Sequence, residues 1–193
     1  LFQGIGVDAA VLHPRGGREY LVITKDMLLE DVDFRRSWLT PAQLGHKSLA
    51  VNLSDLAAMG AMPRFFTVSL ALPRDVGVPW IAAFYRGMCA LAKRQGAVLI
   101  GGDLSRSPSG IQAVVTAIGE TSNRQPVYRS GGRPGDFLYV TGVLGRAAAG
   151  LSLLGHGRIH GRNAAERRAI QSHRVPEPRC NVGIWLARNR YVR

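Results

Sequence analysis

Strand-like and helix-like segments alternate along most of this chain, each closed by glycine or proline. That alternation restricts the fold to an α/β or α+β arrangement, with a mixed sheet and flanking helices. Residues 9–12 and 20–24 are short and apolar and flank Pro14-Arg15-Gly16-Gly17, which predicts a hairpin or two adjacent strands. Thr40 supplies an N-cap, Pro41 a first-turn proline and Gly60 a stop. A helix is expected between them, patterned by Leu44, Lys47, Ser48, Val51 and Leu56. Residues 65–72 alternate as a strand ending at Pro73. Residues 79–96 predict a second helix with Trp80, Phe84, Met88, Leu91 and Ala92 on one side. Residues 97–100 predict a buried strand running into Gly101-Gly102-Asp103, and 111–118 and 137–141 predict two more strands. A helix of small residues is expected over 146–154. The stretch 155–177 is polar, Arg-rich and weakly periodic, and 181–193 reads as a short helix without an evident partner. A boundary near Asp136 divides the chain into an N-terminal domain, 1–135, and the beginning of an incomplete second α/β domain, 136–193.

Composition removes several function classes. Apolar residues make up 46% of the 193, enough for a core and against disorder. No apolar run reaches the roughly 20 residues that cross a bilayer, and no signal peptide is visible. Cys89 and Cys180 lie far apart, outside any CxxC spacing, which points away from a disulfide framework or zinc site and fits a reducing cytoplasm. The net charge of +12 invites a nucleic-acid reading, but its distribution argues against one. Residues 146–193 carry ten basic and two acidic side chains, whereas 1–145 carry fifteen and eleven. The aromatic residues do not interleave with the basic ones as in a stacking platform.

Chemistry concentrates on four aspartates. Asp8 follows Gly4-Ile5-Gly6-Val7, Asp26 follows a strand and Lys25, Asp55 sits inside an apolar helix, and Asp103 follows Ile100-Gly101-Gly102. Taken singly, an aspartate after a strand is more often a turn or cap residue. Asp55 is harder to explain so, because an unpartnered carboxylate among apolar residues is costly. Together the four favour a Mg²⁺ site, in which hard oxygen ligands hold the ion and the ion bridges phosphates. Neighbouring glycines let backbone N–H groups approach phosphate oxygens. Lys25 and Arg129 are the candidate cations, Arg129 within the glycine-rich loop Arg129-Ser130-Gly131-Gly132-Arg133. GxxxxGK[ST] is absent, as are the protein-kinase DFG and HRD signatures, so neither a P-loop nor a protein-kinase site is encoded. His13, His46, His156, His160 and His173 are scattered.

Five blocks in order, GIGVDAAVL (4–12), TKDMLLEDVDF (24–34), KSLAVNLSDLAAMGAMP (47–63), LIGGDLSRSP (99–108) and RSGGRPGDFLYVTGVLG (129–145), resemble thiamine-monophosphate kinase. NLSDLAAMGA is the most specific of them. The wider superfamily includes aminoimidazole ribonucleotide synthetase, selenophosphate synthetase and a hydrogenase-maturation protein. The resemblance implies ATP-dependent phosphorylation of thiamine phosphate to thiamine diphosphate, by direct in-line transfer with several Mg²⁺ ions and no phosphoenzyme. It matches Asp8, Thr24, Asp26, Asp55 and Asp103 to metal ligands, and Gly102, Asp103 and Arg129 to ATP contacts. It also implies a homodimer whose N-terminal domains share a β-barrel, with the ATP site near that interface.

Four departures from the family pattern stand out. Val7 replaces one carboxylate of a GDDA motif, Lys25 occupies a position where another ligand is common, and Asp33 stands where a histidine linked to substrate is usual. The chain also stops before a second acidic motif resembling D-x-S-D-G. These departures leave two alternatives open beside the kinase. One is a truncated or degenerate nucleotide-binding module; the other is a sister ATP-dependent enzyme with a different substrate.

Overall fold

The computed structural model describes residues 2–3, 8–14, 16–121 and 126–192. The segment Gly4-Ile5-Gly6-Val7, and with it the Val7 departure, lies outside the described residues. Strands β1 (Phe2–Gln3), β2 (Ala10–Leu12) and β3 (Leu21–Leu29) run antiparallel in succession, and Ala10 pairs with Ile23 as the predicted hairpin requires. Helix α1 (Pro41–Ala58) follows. Its first turn holds a capping box: the Thr40 hydroxyl accepts from the Gln43 N–H at 3.2 Å, and the Gln43 side chain accepts from the Thr40 N–H at 2.9 Å. Strand β4 (Met62–Leu72), helix α2 (Val78–Gln95) and strand β5 (Val98–Arg106) form a βαβ unit with β4 and β5 parallel. Strand β6 (Gln112–Glu120) returns between β3 and β4, antiparallel to both. The sheet is therefore mixed, in the order β1-β2-β3-β6-β4-β5. Helices α3 (Arg146–Gly155), α4 (Ala164–Arg174) and α5 (Cys180–Arg188) complete the chain.

The core lies between one face of the sheet and α1 with α2. Val22, Leu28, Phe66, Val68, Leu70, Ala113 and Val115 supply the sheet side; Leu49, Leu53, Leu56, Phe84, Met88 and Leu91 supply the helices. Period-two alternation puts β6 in register with this face, as burial of every second residue shows. The two helices touch backbone to backbone. A Cβ on Gly87 would lie 1.9 Å from the Ala42 carbonyl oxygen, and one on Gly45 would lie 2.0 Å from that of Phe84. Only glycine at both positions permits this crossing.

The opposite face is open. Lys25 is exposed there, as are Met27, Phe65, Val98 and Ile100, and β5 is exposed along its whole length.

Four sequence expectations need correction. Strand β5 does not end before Gly101-Gly102-Asp103 but runs through it to Arg106. Residues 137–141 form no strand; Phe137, Leu138 and Tyr139 are at least 85% exposed, and among the described residues no neighbouring strand supplies backbone partners. The polar stretch 155–177 contains α4, capped by the Asn163 side chain accepting from the Glu166 N–H at 2.9 Å. The last helix does have a partner: Cys180 is buried in the core, its thiol directed at the Leu53 carbonyl of α1 at 3.5 Å.

Candidate functional site

Helix α1 lays a polar stripe across β3. Ser48, Asn52 and Asp55 are spaced i, i+4, i+7, so they share one face of the helix. Ser48 and Asn52 are fully buried, where an unpaired amide would be costly. Asn52 spends its groups on backbone: its amide donates to the Ser48 carbonyl at 3.1 Å and its oxygen accepts from the Asp26 N–H at 3.1 Å. One turn on, the Thr24 hydroxyl donates to Asp55 Oδ2 at 2.7 Å. Thr24 and Asp26 alternate with exposed Lys25 and Met27, so both face α1. The helix and the strand thus hold Thr24, Asp26 and Asp55 as one group.

Asp8 and Arg129 flank it. Arg129 donates from Nε to Asp8 Oδ1 at 3.0 Å and from Nη2 to the same oxygen. That ion pair holds the Asp8 carboxyl below the usual carboxylate range, the hydrogen bond being the larger cause. Asp55 is pushed the other way. Burial is the first cause, the Thr24 hydrogen bond pulls back, and the charges of Asp26 and Asp8 push it up further. Burial and then the charge of Asp33 likewise raise Asp26. Half-buried carboxylates that repel one another are a group short of positive charge.

A raised carboxyl pKa has a definite consequence for stability. The folded state binds the proton more tightly than the unfolded one, so the destabilisation is absent below the unfolded value near 3.8. It grows as pH rises and is complete above the raised folded pKa. The metal-free protein therefore carries this cost at neutral pH, and a bound cation would remove it.

Asp33 lies beside the group in the turn after β3. Its Oδ2 accepts from the Leu29 N–H at 2.8 Å, and its carbonyl accepts from Lys47 Nζ at 3.4 Å. The same ammonium lies 3.4 Å from His173 Nε2 of α4. Burial, Lys47 and Arg174 push the His173 pKa down to about 4, so at neutral pH the imidazole is uncharged and accepts from Lys47.

Gly102 and Asp103 sit elsewhere on the sheet. A Cβ on Gly102 would lie 1.9 Å from the Val68 carbonyl oxygen, so only glycine lets β5 pair here. The register places Gly102 in the row of Val68, Val115 and Asp26, whereas Asp103 shares the row of Ser69, Val114 and Met27 on the open face. Of the sequence candidates, the structure brings together Asp8, Thr24, Asp26, Asp55 and Arg129, with Asp33 at the border. Lys25 and Asp103 stand on the other face. Asn52 and Lys47 carry site roles that the sequence reading did not assign. Their only sequence signal is their place in the KSLAVNLSD block, on the same helix as Asp55.

A mixed sheet whose covered face gathers carboxylates beneath one helix is the arrangement on which the comparisons with known proteins bear. The family described as AIR synthase related protein, N-terminal domain, matches residues 6–121, and the chain belongs to that family. Among curated relatives, the thiamine-monophosphate kinase of Bacillus subtilis (strain 168) is 42% identical over 181 residues, covering 93% of this chain and 55% of that protein. The thiamine-monophosphate kinase of Synechococcus elongatus is 40% identical over 185 residues, covering 95% and 55%. The chain thus spans about half the length of these relatives. Among solved structures, AaThiL complexed with AMPPCP and TMP superposes with a TM-score of 0.88 at 34% identity, over 96% of this chain and 58% of that one. The thiamine monophosphate kinase from Aquifex aeolicus gives a TM-score of 0.85 at 32% identity, over 95% and 60%.

Proposed function

We propose that this chain forms the ATP- and Mg²⁺-handling part of a kinase that converts thiamine phosphate to thiamine diphosphate, acting in the cytoplasm. In this reading residues 1–135 are the nucleotide and metal domain and 136–193 begin the second domain. The observation that carries it is the convergence of Thr24, Asp26 and Asp55 beside Asp8 and Arg129, in a chain about 40% identical to thiamine-monophosphate kinases.

The donor set fits Mg²⁺. All its side-chain donors are oxygen, and its carboxylates repel each other. Among the described residues no three His, Cys, Asp or Glu side chains are grouped to enclose a metal ion. Mg²⁺ does not need such a cage, because it keeps several waters and takes one or two carboxylates together with substrate phosphates. Asp26, Asp55, Thr24 and Asp8 would hold it, with Asp103 serving further ions, and when bound it neutralises phosphate charge. The residues of the chain then orient the nucleotide. Arg129 is exposed and, among the described residues, pairs with Asp8 alone, so it is placed to exchange that carboxylate for a phosphate oxygen. Gly102 keeps β5 close to β4, in the sheet row that also holds Asp26.

Titration calorimetry with ATP, with and without Mg²⁺, tests the reading. Saturable binding that requires Mg²⁺ is the expected result. Absence of binding under both conditions would leave the chain a relative of kinases without their nucleotide site.

The active form in this proposal is a homodimer. The open face of the sheet exposes Met27 (51%) and Ile100 (54%) beside Phe65 and Val98, an apolar surface that a second copy would cover as a shared barrel. Sedimentation velocity should show a dimer. A strictly monomeric species at high protein concentration would remove this part of the proposal.

A further inference from the structure

The βαβ unit of β4, α2 and β5 has a second polar feature away from the carboxylates. The carboxyl ends of the two parallel strands lie side by side, at Leu72 and Arg106. Open α/β sheets bind ligands at such ends, because the strands stop and the chain turns away to leave a crevice. Here the crevice is a cavity of about 320 Å³, lined by Leu72, Arg74, Val76 and Ile81 on one side and Leu104 and Arg106 on the other.

Three features give it a chemical preference. Arg74 and Arg106 both line it, and among the described residues neither guanidinium has a hydrogen-bond or ion-pair partner. Elsewhere around this end of the sheet the charges are matched: Arg36 bridges Glu30 and Asp75 at 2.5 Å each. The 18-residue helix α2 starts at the cavity, and its N-cap, Gly77, offers no side chain to the first turn, so the helix dipole presents its positive end there. Apart from Ser105, the remaining wall is apolar. Two guanidiniums match the fork geometry and double charge of a phosphate monoester better than a single carboxylate, and the leucine, valine and isoleucine side chains suit an organic body. The volume suits a small heterocycle or sugar rather than a bare ion.

We infer that this cavity binds the phosphate group of a small phosphorylated organic molecule, held by Arg74 and Arg106 with its organic part against Leu72, Val76, Ile81 and Leu104. The site is distinct from the carboxylate group under α1, and it stands whether or not the chain is a kinase.

Phenyl phosphate is the probe, titrated into the 193-residue chain without Mg²⁺ and followed by calorimetry and by amide chemical shifts. Saturable binding is expected, tighter than that of inorganic phosphate, with shifts centred on residues 72–81 and 104–106. Arg74→Gln and Arg106→Gln should each weaken binding by about tenfold, because each removes one charged fork from the phosphate. Both side chains are exposed, so the fold should survive. Benzoate binding as tightly as phenyl phosphate would overturn the phosphate assignment. Shifts centred on Asp26 and Asp55, undiminished affinity in both variants, or no saturable binding would each overturn the site. The shift map on the unaltered chain keeps the test independent of how the variants fold.

Discussion

Asp55→Asn should lower the Mg²⁺-dependent affinity for ATP by more than tenfold, a loss of about 1.4 kcal/mol or more. The substitution removes one negative charge from the group that would hold the cation, yet it keeps the shape. An asparagine oxygen still accepts from the Thr24 hydroxyl, which meets Asp55 Oδ2 at 2.7 Å. The same variant should be more stable than the parent when metal is absent. Asp55 is half-buried and repelled by Asp26 and Asp8, so its ionised form burdens the folded state. The gain in Tm should be largest at neutral pH and should shrink as the pH falls through the raised folded pKa of Asp55, vanishing below the unfolded value near 3.8. Calorimetry with Mg²⁺ and ATP reads the first effect, and thermal melts across pH read the second. Unchanged affinity would end the role of Asp55 as a ligand. A destabilised metal-free variant would show that the carboxylate is structural.

Gly87→Val should cost roughly 3 kcal/mol of stability, the upper range for forcing atoms into a packed interior. For a chain of this size that is a fall in Tm of about 6–12 °C. Even a single Cβ at this position would meet the Ala42 carbonyl oxygen at 1.9 Å, and the obstacle is backbone, which cannot swing aside like a side chain. Gly45 faces the same constraint across the crossing at 2.0 Å from Phe84, so α1 and α2 can separate only as whole helices. Because α1 carries Asn52 and Asp55, the displacement should also weaken nucleotide binding. Gly101→Ala is the control: a Cβ there meets nothing within 4 Å, and its Tm should stay near the parent value. Equal Tm values for the two variants would show that the helix crossing yields freely.

The local elements were legible because each is announced by short-range chemistry. Thr40-Pro41 opened a helix where the structure has one, since a capping oxygen and a fixed proline φ act within one turn. Gly96 closed the second because left-handed backbone at its φ of 72° suits glycine. Asp55 stood out because a carboxylate in an apolar helix needs a partner, and Thr24 is that partner.

What lay beyond reach depended on packing between distant parts of the chain. Residues 137–141 have strand-forming side chains, but a strand exists only where a neighbour supplies hydrogen bonds, and among the described residues none does so there. The last helix looked partnerless because its partner, α1, is more than a hundred residues away in sequence; Cys180 meets Leu53 only once both are in place. Asp26 and Asp103 look alike in sequence, each an aspartate in a strand-forming context. The register of β3, β6, β4 and β5 sets them in adjacent rows, and side chains in adjacent rows point to opposite faces of a sheet. Residue identity and near-neighbour spacing thus specified most of the helices and strands and the presence of carboxylates. Which carboxylates share a site followed from strand pairing and from where α1 crosses the sheet, because hydrogen-bond register and burial are set between segments rather than within them.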